Sequence, residues 1–224
     1  SLMNVAIELL GEGRKIADSL NVPLTAVLLG RDVDEIAEKL IKYGADEVLY
    51  ANHELLDIYT TDAYAKVIYE LVTERKPEIF LFGATNLGRD LAPRLSARIH
   101  TGLTADCTKL DVDLENRRLM QTRPAFGGNL MATIICPECR PQMATVRPGV
   151  FEVSKYEGKM AGKIIKPEIT IFDSKIEILQ YIQDTTESFD ISEVDIIVAA
   201  GRGLGEKKNL KLVEELASMI GGQV

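Results

Sequence analysis

The chain has 224 residues, of which 46% are hydrophobic and 27% charged, and its formal net charge is −8. This length supports one large domain, or one domain plus part of another, with a core that needs neither disulfide nor metal. The composition excludes a disordered, collagen-like or disulfide-scaffold chain. An acidic surface repels phosphate backbones, so general nucleic-acid binding is not expected. No apolar run approaches the ~20 residues of a membrane helix, so no membrane insertion is expected either. The first residues lack the basic start of a signal peptide, and Ser1-Leu2 reads as an addition ahead of Met3. Three cysteines, an odd number, argue against a disulfide framework and fit a reducing cytoplasmic setting.

The first half alternates helix and strand. Val5, Leu9, Ile16 and Leu20 form an apolar stripe, which predicts a helix over 5–20. Leu24 to Leu29 reads as a strand ended by Gly30. Asp32 is a candidate cap for a second helix carrying Val33, Ile36, Ala37, Leu40 and Ile41, with Gly44 past its end. Glu47 to Tyr50 reads as a strand. Thr61 or Asp62 then caps a helix with Tyr64, Val67, Ile68, Leu71 and Val72 inward. Glu78 to Phe82 is a further strand and Gly88 to Ile99 a further helix. Continuous apolar strands alternating with helices predict an α/β fold, a mostly parallel sheet covered on both faces.

From Thr101 the texture becomes β-rich. Strands are predicted over 106–113, 118–123, 129–136 and 142–146, as antiparallel additions to the same sheet or as a satellite sheet. Lys155 to Pro167 reads as a loop, Glu168 to Phe172 and Ile176 to Ile182 as two more strands, and Asp184 to Ser192 as a linker. A new unit follows: a strand over Asp195 to Ala200, the run Gly201-Arg202-Gly203-Leu204-Gly205, and a helix through Ile220 with Leu212, Val213, Leu216 and Ile220 inward. The expected division is therefore 1–187 for an N-terminal α/β domain and 188–224 for a linker and the opening of a second domain. Both ends read as cut, since a helix at Val5 without a preceding strand is half of a βα unit.

Four groups of residues are candidates for chemistry. Gly83-Ala84-Thr85-Asn86-Leu87-Gly88-Arg89-Asp90 is a strand-to-helix turn whose amides suit an anion. It lacks a P-loop lysine, and its blander reading is a tight turn capped by Thr85 or Asn86, with Arg89 and Asp90 as surface charges. Gly201-Arg202-Gly203-Leu204-Gly205 is G-x-G-x-G and meets the dinucleotide fingerprint only in part. Its glycines clear space for a pyrophosphate and Arg202 can neutralise one, or it is simply a glycine-rich loop. Cys136-Pro137-Glu138-Cys139 has thiol-redox or zinc spacing, but Pro141 and its β-rich setting favour unpaired cysteines in a turn. His53, His100 and the carboxylates Asp111, Asp113 and Glu115 read as a cap or a solvated face rather than as catalytic groups.

Three stretches together resemble the electron transfer flavoprotein α-subunit family. They are Leu81 to Asn86 with Arg89 to Arg98 and Thr101 to Cys107; Thr122-Arg123-Pro124-Ala125-Phe126-Gly127-Gly128-Asn129; and Arg140 to Gly149, with Val5 to Gly11 in agreement. The resemblance spans nearly the whole chain. It implies an N-terminal domain of the adenine-nucleotide α-hydrolase type and the first βα unit of a Rossmann-like FAD domain. It implies an electron carrier, not an enzyme, paired with a β subunit. FAD passes electrons from acyl-CoA or other dehydrogenases to a quinone reductase or another acceptor, and some members take part in electron bifurcation. The family's cofactor-contacting arginine falls on Arg202, with Gly201 and Gly203 beside it. A positive charge there would favour a reduced, negatively charged cofactor. The other FAD contacts of the family would follow Val224, so the chain as given is expected not to hold FAD alone. The resemblance also leaves the Gly83 turn empty of nucleotide. The rival reading is an adenine-nucleotide-binding domain of the stress-protein type using that turn; a third is a thiol-redox protein using Cys136 and Cys139.

Overall fold

The computed structural model describes residues 2–125, 130–153, 161–169, 176, 178–180 and 194–224. The chain divides into two compact units, 1–177 and 178–224.

In the first unit, helices α1 (Asn4–Leu20), α2 (Asp34–Lys42), α3 (Thr61–Arg75) and α4 (Asn86–Ile99) alternate with strands β1 (Thr25–Gly30), β2 (Glu47–Asn52) and β3 (Ile79–Gly83). The strands β4 (Leu103–Cys107), β5 (Lys109–Asp113), β6 (Arg118–Pro124), β7 (Met131–Ile134), β8 (Gln142–Val146) and β9 (Lys163–Ile165) follow. They form two parallel sheets, ordered β1-β2-β9 and β3-β8-β4, and one antiparallel sheet, β5-β6-β7. The single sheet expected from the sequence is thus two parallel sheets. Of the β-rich additions only β5, β6 and β7 form the satellite; β4 and β8 run parallel with β3.

The central strands of the two parallel sheets are the most buried. Val48 to Ala51 of β2 and all of β8 are inaccessible or nearly so, whereas β1 and β3 are half-buried. Although β1 and β3 share no ladder, Val27 and Leu29 pack with Phe80 and Phe82 on one core, under Ile68 of α3 and Leu91 and Leu95 of α4. On the opposite face α1 spans both sheets. Its Leu10 packs with Ala26 and Leu28, and its Ile16 and Leu20 with Ile79 and Leu81. The i, i+4 spacing of Ile16 and Leu20 puts both on one face, as the sequence pattern requires.

Polar groups tie the layers together. Gln142 is fully buried, yet its Oε1 accepts from Leu119 N at 2.7 Å and its Nε2 donates to Arg117 O at 3.1 Å, joining β8 to β6. The carboxylate of Glu8 on α1, also buried, accepts from Gly149 N at 2.9 Å and Phe151 N at 3.4 Å, fixing the loop after β8. Such buried acceptors persist because each has its donor.

Several local expectations change. Asp32 does not cap α2. It stands at φ 52 and exchanges hydrogen bonds with the Asn52 side chain, so α2 begins at Asp34 after Val33. α3 starts at Thr61 behind Thr60. The hydroxyl of Thr61 donates to Asp90 and Asp62 pairs with Arg94, so neither is free to cap. Within the expected loop 155–167 lies β9, which pairs in parallel beside β2 over three residues. Gly162 permits the approach, since a Cβ there would stand 2.7 Å from Ile41 and 2.9 Å from Ala45 O. Glu168, Ile169, Ile176 and residues 178–180 are not in strands. The rest of those two expected strands, and the linker 184–192, lie outside the described residues.

In the second unit the segment 195–200 is not a full strand. Its one ladder position is Ile197, bridged in parallel to Gln223, with Val198 N donating to Gln223 O at 2.8 Å and Gln223 N to Ile196 O at 3.0 Å. Helix α5 (Leu210–Ile220) connects the two sides of that bridge and ends on Gly221 at φ 70. Strand, helix and returning parallel strand is the βαβ arrangement. The inward face of α5 is Val213 and Ala217. Leu212 (65% exposed) and Met219 (85%), with Leu216 and Ile220, lie outward, contrary to the stripe expected from the sequence. The described residues of this short unit offer one side of the helix something to cover it.

Candidate functional site

The run 201–205 follows the Ile197 bridge, but it does not open α5. Arg202–Leu204 and Lys207–Asn209 form two short 3-10 turns, and α5 begins only at Leu210. The turns are closed by Leu204 N donating to Gly201 O and Gly205 N to Arg202 O. Gly205 requires its glycine, with φ 76. Gly201, at φ −116, does not, and neither Gly201 nor Gly203 has any atom within 4 Å of where a Cβ would stand. Arg202 is exposed, and its side chain has no hydrogen-bond or ion-pair partner among the described residues. Two glycines without a local reason, flanking an unpaired guanidinium, leave room for an anionic group to approach the backbone closely. That fits a pyrophosphate-bearing cofactor such as FAD.

The turn 83–90 is built in the opposite way. Its Cβ positions are filled: one on Gly83 would lie 2.9 Å from the Val5 methyls, and one on Gly88 1.9 Å from Gly83 O. Two of its amides are taken internally. Ala84 N donates to Val146 O at 2.6 Å and Gly88 N to the Thr85 hydroxyl at 3.2 Å, which makes Thr85 the cap of α4. Asp90 is more than a surface charge: it accepts from Tyr59 and Thr61, which hold its carboxyl below the usual range, while burial and that same bond push Tyr59 up to about 12.

The remaining candidates have structural roles. His53 Nδ1 accepts from Leu55 N at 3.1 Å, capping a 3-10 turn, and His100 ends α4 in the left-handed conformation at φ 62. Asp111 pairs with Lys109; Asp113 caps the turn holding Glu115 and Asn116, so the three carboxylates do not share a strand face. Cys136 and Cys139 lie in the turn between β7 and β8, where Arg140 Nη1 donates to three carbonyls. All three cysteines are free thiols, and no metal-holding group of His, Cys, Asp and Glu occurs among the described residues. Burial pushes the Cys107 thiol up to about 11.

One cluster has no single-segment signature. At the carboxyl ends of β3, β8 and β4, Asp106 occupies a bulge at φ 62. Arg147 grips its carboxylate through Nη2 at 2.6 Å and Nε at 3.3 Å, and Arg89 Nη2 approaches at 3.5 Å while its Nε donates to Ala84 O. These bonds from Arg147, against the opposing cost of burial, and the charges of Arg147, Arg89 and Arg123 hold Asp106 below the usual carboxylate range. The four residues come from all three stretches that carry the family resemblance, so only the folded chain brings them together.

The comparisons with known proteins agree over both units. The family model described as electron transfer flavoprotein domain matches residues 1–171, and the electron transfer flavoprotein FAD-binding domain matches 190–224. The protein FixB of Clostridium saccharobutylicum is 56% identical over 225 residues, covering 100% of this chain and 67% of that protein. An electron transfer flavoprotein subunit alpha of Clostridium acetobutylicum is 51% identical over 229 residues, covering 100% and 68%. An acryloyl-CoA reductase electron transfer subunit beta of Anaerotignum propionicum is 43% identical over 251 residues, again covering 100% and 68%. No helix among the described residues is long and apolar enough to cross a membrane. With identity above one half along its whole length and both family models matched in order, the chain belongs to the electron transfer flavoprotein α-subunit family, whose members transfer electrons.

Proposed function

We propose that this chain serves in a cytoplasmic α subunit that, with a β subunit, carries electrons on FAD between an acyl-CoA or other dehydrogenase and a quinone reductase or another acceptor. The observation that supports it most directly is the open space at Gly201 and Gly203 beside Arg202, which has no partner among the described residues. Glycine persists in a turn for conformation, for packing or for an external approach. The first two do not apply at these positions within the described residues. FAD supplies a redox-active ring when bound; the chain contributes an open backbone for its phosphates and a cation in Arg202. The acyl-CoA partner is favoured by the relative named as an acryloyl-CoA reductase electron transfer subunit.

The chain spans about two thirds of the length of the relatives it matches, so the test uses a full-length protein. The test is the absorbance spectrum of the full-length protein co-expressed with its companion subunit. A yellow complex that loses flavin, or changes its potential, on Arg202→Ala supports the reading. A colourless complex, or unchanged affinity and potential in the variant, rejects the role of Arg202.

The stress-protein reading is disfavoured by the first turn itself. With Ala84 N and Gly88 N bonded internally and both glycine faces filled, a phosphate cannot lie close against the glycines of that turn. Titration of the chain with ATP and AMP separates the two, since tight ATP binding would restore the rival.

A further inference from the structure

The arginine cluster around Asp106 is not used by the reading above. Arg89 leads from α4, Arg123 from β6 and Arg147 from the end of β8. The side chains of Arg89 and Arg147 remain 60% and 46% exposed, whereas that of Asp106 is 26% exposed. Among the described residues Asp106 is the one carboxylate acting on Arg147. The Asp106 carboxylate is bonded by Arg147, approached by Arg89 and within electrostatic reach of Arg123, a local gathering of positive charge on a chain whose net charge is −8. The arrangement is held in place. Asp106 N donates to Thr145 Oγ1 at 2.8 Å, Arg147 N to Cys107 O at 3.0 Å, and Arg89 Nε to Ala84 O at 2.9 Å. A non-glycine residue kept in the left-handed region by such a network is a feature found at functional sites.

We propose that Arg89, Arg123 and Arg147, gathered around Asp106 at the carboxyl ends of β3, β8 and β4, form a docking patch for an acidic segment of the companion subunit. The proposal rests on the α-subunit reading. Charge decides the class of partner: each guanidinium has N–H groups beyond those bonded to Asp106 and Ala84, and they match carboxylates in pairs. Exposure decides its size. A free anion meeting one exposed arginine gains little, whereas carboxylates presented together on a folded surface meet the three arginines at once and gain in association rate as well. Asp106 acts as a spacer: it keeps three like charges together in the free subunit and sets the guanidinium planes.

The full-length chain and its companion subunit, purified separately, provide the test through binding measured at low and high sodium chloride. Arg89→Glu is the first variant, because Arg89 meets Asp106 through a single 3.5 Å contact where Arg147 makes two bonds. Arg147→Glu is the second, and Arg98→Glu, at the other end of α4, is the control. The expected result is an association rate at low salt lowered about tenfold or more by either cluster variant, with a flatter salt dependence, and unchanged by the control. A companion that binds both cluster variants as it binds the unaltered chain, with the same salt dependence, overturns the docking patch and leaves the α-subunit reading intact. A chain that binds no companion subunit overturns both. ATP or inorganic phosphate bound by the unaltered chain and lost in Arg89→Glu overturns the patch in favour of a small-anion site.

Discussion

Two glycine-rich turns occur among the described residues, and they are built on opposite plans. In the turn 83–90 the glycines are consumed by the protein: Val5 fills the space over Gly83, and the Gly83 carbonyl fills that over Gly88. In the turn 201–205 the space over Gly201 and Gly203 is vacant. The same residue type thus serves packing in one place and access in the other. A glycine pattern in a sequence cannot distinguish these uses; the distance from a virtual Cβ to its nearest neighbour can. The first turn is part of the scaffold and the second is a surface for something else, which is why the cofactor proposal rests on the shorter and less regular unit.

The largest effect that tests this contrast is at Gly88. A methyl group 1.9 Å from a backbone oxygen cannot be relieved by a rotamer change, so α4 must shift away from β3. Gly88→Ala is expected to destabilise the first unit by about 3 kcal/mol or more, read by denaturant unfolding. Gly203→Ala, with no neighbour within 4 Å, is expected to change stability by no more than about 0.5 kcal/mol while lowering flavin retention in the full-length protein. Equal destabilisation by the two substitutions would remove the distinction.

Next in size are the buried polar groups that hold the strands beneath the first turn. Gln142→Leu strands the amide of Leu119 and the carbonyl of Arg117 without partners. Glu8→Ala does the same to Gly149 and Phe151 in the loop after β8. Each is expected to cost about 2 kcal/mol in chemical unfolding, since an unpaired buried group costs roughly 1–3 kcal/mol. The second turn hangs on no comparable group among the described residues, and a loss at either position confined to the first unit would sharpen the division between the two.

How much of this could be read from the residues depends on the range of the interaction involved. The helices α1, α3 and α4, the buried run of β2 and the Thr85 cap follow from local spacing, because a 3.6-residue period and an i, i+3 cap are short-range rules. Asp32 was misjudged because its competitor, Asn52, lies 20 positions away. β9 was missed because a three-residue strand has no period of its own; it forms only where β2 has an open edge and Gly162 allows contact. The stretch 195–200 is as apolar as a strand, but a ladder needs a neighbour, and only Ile197 has one. The cluster at Asp106 was invisible for the same reason. Its arginines sit in three separate stretches, and nothing in any one of them marks the others. The Gly201 to Gly205 run was recognisable through its family resemblance, whereas the vacancy above it is a property of the folded chain.

A smaller effect is expected at the cap. Thr85→Ala removes the acceptor of Gly88 N, one of the first-turn amides of α4, and should lower stability by about 1 kcal/mol. Thr85→Ser keeps the hydroxyl and should restore most of it. The run 201–205 has no side-chain cap on either 3-10 turn, so its substitutions give no such pair of results.

The smallest effect is electrostatic and depends on pH. Arg147 bonds the Asp106 carboxylate and, with Arg89 and Arg123, lowers its pKa in the folded state below the value of about 4 it has unfolded. A group with a depressed folded pKa contributes stability that is fully present above its unfolded pKa. That contribution is lost as pH falls through the folded value. Because the arginines are half exposed, it is expected to be no more than about 1 kcal/mol. Asp106→Asn removes the charge and keeps a side chain that tolerates the left-handed backbone. The melting temperature of the variant should therefore lie slightly below that of the unaltered chain at pH 7, and the gap should close as pH approaches 3. Arg202 supplies the contrast from the other turn. Without a carboxylate partner among the described residues, Arg202→Ala should leave the melting temperature unchanged at every pH. A gap at Asp106 that persists undiminished at pH 3 would mean that the bulge depends on side-chain shape and not on charge, and the arginines around it would then owe their placement to β4 and β8 rather than to Asp106.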